Sequence, residues 1–545
     1  MNMSAVAKNY FDALEIEEFV FSHFLEKRAS ESPEAVFFTF EDQTHTLGDF
    51  NKAVNSMARC LMEQGVTHGS VVAVVMATSP EYLCLWFALA KIGAVEVPIN
   101  SAYLGDILLH QLKTSGAEFC VVDDIFYENV NGVIKDSAVK TCFVRGAESR
   151  ELSAPYMPFQ QLQQMQDDSN LDITISYVDS CGIIFTSGTT GPSKGVLLSY
   201  RYLTAYGVMY ADINKFQDDE VLMNFLPFFH LSGKFITIAT LVSGGRMRLM
   251  PKLSISGFME EVRIHGITHF LGVGGICNML LTLPESPEDA ASTIRTIYAV
   301  PDPDGPHHII EKRFNCRMTT VFGSTEVGLP LFRSLDTGYR AESCGKQSPY
   351  YEVKIVDEFD NEVPHGETGE IVVRPKLPYL TASGYVGMPE KTVESWRNLW
   401  LHSGDSGRRD EDGWFYFEDR VSDSLRRRGE NISSYEVELL VGKHPAVSEV
   451  AAVAFPSEIG EDEVRVFVIL LPEQQITAEE LFEHCGKNMP YFMVPKYIDI
   501  VEEFPRTPTA KIEKYKLRDM PKTDATWDYA EQGWSLSRSG IARVD

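Results

Sequence analysis

Between Phe185 and Gly195 the chain reads Phe-Thr-Ser-Gly-Thr-Thr-Gly-Pro-Ser-Lys-Gly, a run of small and hydroxylated residues closed by a lysine. The apolar stretch Gly182 to Phe185 leads into it as a strand would. Glycine and other small residues let backbone N–H groups approach an anion closely. Ser187, Thr189 and Thr190 add hydroxyl donors, and Lys194 adds positive charge. The chemistry this suits is phosphate binding. The order is not that of a G-x-x-x-x-G-K-[ST] loop, because Gly-Lys is never followed by Ser or Thr. A plain flexible surface loop is the competing reading, and the length and order of the run weigh against it.

Further motifs follow in sequence. They are Pro227-Phe-Phe-His-Leu-Ser-Gly233, Phe322-Gly-Ser-Thr-Glu326, and Trp400-Leu-His-Ser-Gly-Asp405. Arg420 and Arg426-Arg-Arg-Gly-Glu-Asn-Ile432 come next, and Pro505-Arg-Thr-Pro-Thr-Ala-Lys-Ile512 closes the series. In this order they resemble the adenylate-forming superfamily of acyl-CoA synthetases, luciferases and peptide-synthetase adenylation domains, over nearly the whole chain. Two stretches, Trp86 to Asn100 and Asp419 to Val437, look most like its carnitine/crotonobetaine-CoA ligase branch. That branch also holds ligases for other acids, so the acyl group stays open between fatty and carnitine-type acids.

The resemblance implies an α/β fold. A large N-terminal part, residues 1–421, would hold stacked parallel sheets plus a distorted β-barrel. A small mobile α+β C-terminal domain, residues 422–545, would carry a catalytic lysine. It also implies roles. Thr186, Ser187, Gly188, Thr189, Thr190 and Lys194 would face the ATP phosphates. Phe322 would stack on adenine, flanked by Gly323 and Ser324, and Thr325 would contact the α-phosphate. Glu326, with Thr190, would hold Mg2+, a cation that prefers oxygen ligands. Asp405 would accept from both ribose hydroxyls, since a carboxylate offers two oxygens to a diol. Arg420 would contact the ribose beside a hinge at Ser422. Lys511 would stabilise the transition state of adenylation, where two anions meet. His230, Phe229 and Gly274 would line the acyl pocket, with Phe228 and Phe270 near them. Arg428, Gly429 and Glu430 would approach CoA.

The reaction implied has two steps: ATP and a carboxylic acid give acyl-AMP and pyrophosphate, then CoA takes the acyl group and AMP leaves. Three competitors differ in class. A stand-alone adenylation enzyme would pass the acyl group to a carrier protein, and no carrier domain is visible in this chain. A luciferase-like oxygenase would emit light with oxygen. A degenerate binding protein would not adenylate, and intact Lys194, Glu326 and Lys511 count against that. No H-E-x-x-H occurs to support a metal-dependent hydrolase. The chain departs from the family pattern at three places. Val300-Pro301-Asp302-Pro303 stands where a glycine-rich loop precedes the adenine aromatic, Ser422 replaces an Asp or Lys, and Ala510 replaces the Gly before Lys511.

These residues need a scaffold. In the first third, strand and helix patterns alternate: Val71 to Met76, Ser79 to Lys91, Ala94 to Pro98, Phe119 to Asp123. That alternation predicts parallel sheets covered by helices. Thr46 with Asp49 caps a helix bearing Leu47, Phe50, Val54 and Ala58. Beyond Val421, Ser433 with Glu436 and Thr477 with Glu480 read as capping boxes, and Glu449 to Phe455 and Val464 to Leu471 as strands. The tail from Pro521 is left open between a packed arm and disorder.

With 545 residues the chain exceeds one ordinary domain. Hydrophobic residues make up 44% and charged ones 23%, a soluble globular balance. The net charge of −28 argues against a general nucleic-acid partner. Nine scattered cysteines without a C-x-x-C pair point to a reducing cytoplasm and to small buried thiols. Met1 to Glu26 lacks the basic start and apolar run of a secretory signal, and Tyr82 to Ala90 is too short to span a bilayer. The expected partners are a carboxylic acid, ATP and CoA, and a homodimer is left open.

Overall fold

The computed structural model describes residues 9–544 apart from 165–166, 187–191, 274–275, 301, 303–305, 421–423, 429, 458–460, 472–473 and 507–511. At 273, 419, 420, 424, 426 and 431 only the backbone is described. The chain divides into two compact units.

The first unit, residues 1–101, 112–184 and 195–419, is built on two large sheets. One centres on Val71–Val75, which pairs in parallel with Val95–Pro98 and Phe119–Asp123. Largely buried, these strands are mostly apolar, with Glu96 and Asp123 as buried charged exceptions. The helix between the first two, Pro80–Ile92, starts at Ser79, whose hydroxyl accepts from Tyr82 N. It ends at Gly93 with φ +80, a conformation that favours glycine. Thr46 caps Leu47–Glu63 through Asp49 N, as its spacing predicts.

The other sheet has two characters. Val36–Phe40, Arg246–Leu249, Val221–Asn224, His269–Val273, Thr296–Val300 and Arg317–Ser324 form a parallel half. Arg317–Ser324 then pairs antiparallel with Gly328–Arg333, and the sheet continues through five more strands, in the region where a barrel was expected. The helices Tyr200–Asn214 and Leu231–Ser243 pack tightly: a Cβ on Gly207 would lie 2.6 Å from Ile238.

The second unit gathers 420–545 with two short segments, 102–111 and 185–194. Its core joins Ile107 to Leu425, Ile432, Val437, Phe482 and Phe492. Val447–Pro456, Asp462–Leu470, Tyr497–Ile500 and Trp527–Asp528 form its main sheet. Thr477 and Glu480 make the full reciprocal capping box of Ala478–Asn488. At Ser434–Val441 the box is only half made: Ser433 accepts from Glu436 N, but the Glu436 carboxylate turns elsewhere. The tail packs as an arm, with Trp527, Tyr529 and Trp534 ringed around Phe482 at 5.1, 5.3 and 5.6 Å. Eight of the nine free cysteines are buried, as expected of small apolar side chains. Among the described residues, no helix is long and apolar enough to cross a membrane.

Candidate active site

The strand Arg317–Ser324 delivers Phe322-Gly-Ser-Thr-Glu326 to the junction between the parallel and antiparallel halves. The turn is tight because a Cβ on Gly323 would lie 2.2 Å from the Gly328 carbonyl oxygen, so the backbones meet where only glycine fits. Ser324 fixes the acid that follows: its hydroxyl donates to Glu326 Oε2 at 3.0 Å and accepts from Val327 N at 3.3 Å. Tyr385 donates to Glu326 Oε1 at 3.4 Å. Tyr202 donates to the Thr325 carbonyl at 2.9 Å. Burial, and then the Glu326 charge, hold the Tyr385 phenol well above its ordinary range, so it stays a donor. Both hydroxyls orient the carboxylate as neutral groups, and a charged oxygen ligand held this way suits Mg2+.

Tyr385 also lies on a strand paired with the one that follows the glycine-rich run. Gly384–Tyr385 pairs antiparallel with Lys194–Ser199, Tyr385 opposite Val196, and Val386 N donates to Gly195 O at 2.8 Å. The strand leaving the run therefore passes beside the tyrosine that holds Glu326, and Lys194, half-buried, is its first residue.

Asp405 sits on a bulge. Glu370 pairs with Ser406 and Val372 with His402, so Ile371 alone faces Ser403, Gly404 and Asp405. The extra residues bend the strand and re-aim its side chains. Gly404 takes φ +74, its N–H donates to Glu370 Oε1 at 3.1 Å, and Ser403 Oγ accepts from Asp405 N at 3.1 Å. Asp405 is buried. The neighbouring strand Trp414–Arg420 carries Phe417, whose ring centroid lies 6.2 Å from that of Phe322. Phe322 is buried and Phe417 is 44% exposed, so one ring is backed by core and the other opens to solvent.

The stretch that departs from the family pattern has its own lock. Asp302 Oδ1 lies 2.9 Å from His307 Nδ1, and Asp302 Oδ2 lies 2.6 Å from an Arg333 guanidinium nitrogen, all three side chains buried. Tyr339 stacks on His307 at 4.1 Å. Burial alone would raise the Asp302 carboxyl, but His307 and the Arg333 charge outweigh it and hold it below its ordinary range.

On the expected acyl side, His230 stands at the N-cap position of Leu231–Ser243, and its ring lies 4.8 Å from that of Phe229, both half-buried. Phe228 and Phe270 are core residues instead. Phe228 packs on Tyr82 at 5.3 Å, and Phe270 on Phe258 at 4.9 Å. Beneath Phe228 the buried pair Lys234–Glu96 closes at 2.5 Å.

In the second unit the arginine run splits. Arg427 is buried, donates to the Val494 carbonyl at 2.6 Å and pairs with Glu463 at 2.6 Å, so it supports the fold. Arg428 is exposed, with φ +55. Glu430 opens Glu430–Ser433 and is half-buried. Thr186 ends the strand Ser180–Thr186. Ser193 N donates to Glu436 Oε1 at 3.0 Å, and His110 Nε2 lies 2.8 Å from the Ser193 carbonyl oxygen. Ser187, Gly188, Thr189, Thr190, Gly274, Ser422, Gly429 and Lys511 lie outside the described residues, and Arg420 is described only as the backbone end of Trp414–Arg420. Tyr385, Phe417 and Glu436 escape a motif-based reading. Only the Glu436 spacing from Ser433 gave a signal, and it pointed to a cap.

Comparison with known proteins gives consistent matches. A family model described as AMP-binding enzyme matches residues 25–386, and one described as AMP-binding enzyme C-terminal domain matches 436–511. The chain is 30% identical to a crotonobetaine/carnitine–CoA ligase of Citrobacter koseri, over 86% of this chain and 92% of the relative. Its identity to the like-named protein of Salmonella typhimurium is also 30%, with the same coverage. Among solved structures, a double mutant of the o-succinylbenzoate CoA synthetase of Bacillus subtilis matches with TM-score 0.80 at 24% identity, covering 91% of this chain and 98% of that one. A fatty acyl CoA synthetase of Mycobacterium tuberculosis matches with TM-score 0.68 at 23% identity, covering 93% and 99%.

Proposed function

Because the chain belongs to the AMP-binding enzyme family, we propose that it works as an ATP-dependent carboxylic acid:CoA ligase that proceeds through an acyl-adenylate. The observation that carries the reading is the Glu326 turn, held by Tyr385 on a strand paired with the exit of the glycine-rich run.

In the first step a carboxylate oxygen of the acid attacks the α-phosphorus of ATP. The bond from that phosphorus to the bridging oxygen breaks, and pyrophosphate leaves with the electron pair. Thr186 to Thr190 and Lys194 bind the phosphates, Phe322 and Phe417 offer ring faces to adenine, and Asp405 accepts from the ribose diol. Lys511 brings an ammonium to the developing charge. Glu326 and Thr190 are the residues that would hold Mg2+, which when bound offsets phosphate charge. In the second step the CoA thiol loses its proton and attacks the acyl carbon, and AMP leaves. A hinge at Ser422 exchanges Lys511 for Arg428, Gly429 and Glu430, so one site serves two chemistries in turn. The working boundary is 1–421 and 422–545. His230, Phe229 and Gly274 bound the acyl group.

The net charge of −28 favours small-molecule substrates over nucleic acid. We place the enzyme in the cytoplasm, with a homodimer as the assembly to examine. The test is pyrophosphate exchange into ATP over a panel of carboxylic acids that starts with crotonobetaine and carnitine, followed by CoA as acceptor. Acid-dependent exchange with a CoA thioester as product is expected. Exchange with no acid in a broad panel, or transfer only to a carrier protein, would overturn it.

A further inference from the structure

We propose that His307, His308 and Glu311 form a site for one divalent transition-metal ion of the zinc class. Its donors are not those of the Mg2+ site proposed at Glu326, and the inference does not depend on the ligase reading.

The three residues stand on the helix His307–Phe314 at its first, second and fifth positions. Residues three and four apart share a helix face, so Glu311 can reach both histidines. Glu311 Oε2 lies 3.6 Å from His307 Nε2 and 3.7 Å from His308 Nδ1. One ligand atom from each residue lies within 4.8 Å of the other two. Both gaps to Glu311 are too long for good hydrogen bonds. Two ligands bound at about 2.0–2.1 Å to one tetrahedral ion stand roughly 3.4 Å apart, close to these gaps.

Partners behind the three side chains aim them at one point. Asp302 is held in its ionised form and has no proton to give, so it accepts from His307 Nδ1 at 2.9 Å. In the neutral ring the lone pair then sits on Nε2, the nitrogen that faces Glu311. Two acceptors facing each other call for a cation between them. A protonated Nε2 would instead draw Glu311 into a hydrogen bond, and Glu311 stands off at 3.6 Å. A carboxylate behind the imidazole is the usual outer partner of a metal-binding histidine. Glu311 is oriented as well. Its Oε1 accepts from Met318 N at 3.0 Å and lies 3.8 Å from Arg317 Nε, which turns Oε2 toward the histidines. The Tyr339 ring packs on both imidazoles, at 4.1 and 4.6 Å.

The donor set selects the ion. Two imidazole nitrogens and one carboxylate oxygen suit Zn2+ and its neighbours, whereas Mg2+ prefers oxygen alone. Three protein ligands leave a fourth position for water. The His307 side chain is 1% exposed and that of His308 68%, so the ion enters from the solvent side, past His308. Once bound, it fixes His307 in the tautomer that donates to Asp302. Asp302 in turn pairs with Arg333, so the ion stiffens the stretch that departs from the family pattern.

The experiment is calorimetric titration of the chelator-stripped full chain with Zn2+ in excess Mg2+, comparing wild type with His308→Ala and Glu311→Gln. His308 is exposed and holds no core contact, so its loss leaves the fold intact and keeps the test decisive if Glu311→Gln does not fold. One Zn2+ per chain is expected in wild type. Each variant is expected to bind at least 10–100-fold more weakly, the range met when even an outer partner of a ligand is lost. Co2+ in place of Zn2+ should give visible absorption bands in wild type that His308→Ala lacks. No Zn2+ binding by wild type would overturn the site. Equal affinity in the folded variants would overturn it too, since the ion would then sit on other residues. The ligase reading stands in either case.

Discussion

The Tyr385 hydroxyl donates to Glu326 Oε1 across 3.4 Å, although 59 residues separate them in sequence. The bond exists because Tyr385 pairs with Val196, on the strand that leaves the glycine-rich run. Tyr385→Phe removes that donor and nothing else of size. The variant is expected to fold normally and to lose roughly three- to tenfold in rate at limiting Mg2+, the range for one long hydrogen bond to a charged group. Excess Mg2+ should restore most of it. Initial rates across a Mg2+ titration check this, and a rate loss independent of Mg2+ would separate Tyr385 from the metal.

Asp302 bridges buried His307 and Arg333, so removing it strands a buried guanidinium. Asp302→Ala is expected to cost about 3–5 kcal/mol, as for other buried pairs that lose one partner. The pH dependence follows from the direction of the shift. The carboxyl is lower in the folded protein than in the unfolded chain, so its contribution is complete above the unfolded value of about 3.9. It drains away as pH falls through the folded value. Denaturant unfolding of wild type and Asp302→Asn at pH 7 and at about pH 3, below the unfolded value, should show a gap that narrows on acidification. A constant gap would contradict the linkage.

Local signals in the sequence located most elements because they depend on neighbours a few residues apart. Thr477 and Glu480 close their box as spaced, and the strand Phe119–Asp123 has the predicted bounds. The motif acids Glu326 and Asp405 stand out for the same reason: each lies in a short segment whose backbone is specialised, by the close approach at Gly323 and by the bulge at Gly404. What stayed hidden depends on long-range pairing. Tyr385 gains its meaning from strand register, and Phe417 from an adjacent strand. Glu436 has the local spacing of a cap and spends its carboxylate 243 residues away. Arg427, in a run of like charges, looks solvated, yet carbonyls and Glu463 bury it.

Gly404 offers a test of the Asp405 bulge. Its φ of +74 disfavours any side chain, but a Cβ there would meet no atom within 4 Å. Gly404→Ala should therefore cost only backbone strain, about 1–2 kcal/mol. If the bulge aims Asp405 at ribose, the KM for ATP should rise while the KM for the acid stays put. Thermal unfolding and paired KM measurements separate the two effects. A rise in both KM values would mean the bulge shapes the whole site instead of the ribose contact.

Lys511 carries the sharpest division between the two half-reactions. Its proposed ammonium acts where a carboxylate meets the α-phosphate, and that charge pattern has no counterpart when a thiol attacks an acyl carbon. Lys511→Ala should cut pyrophosphate exchange about 10²–10³-fold. The same variant, supplied with preformed acyl-AMP and CoA, should release AMP at close to the wild-type rate. Ala510 precedes the lysine where the family has glycine, so Ala510→Gly is expected to leave both rates nearly unchanged or to raise exchange modestly. Equal losses in both half-reactions of Lys511→Ala would mean that the residue supports the site as a whole, and the division of labour between Lys511 and the Arg428 to Glu430 segment would fall with it.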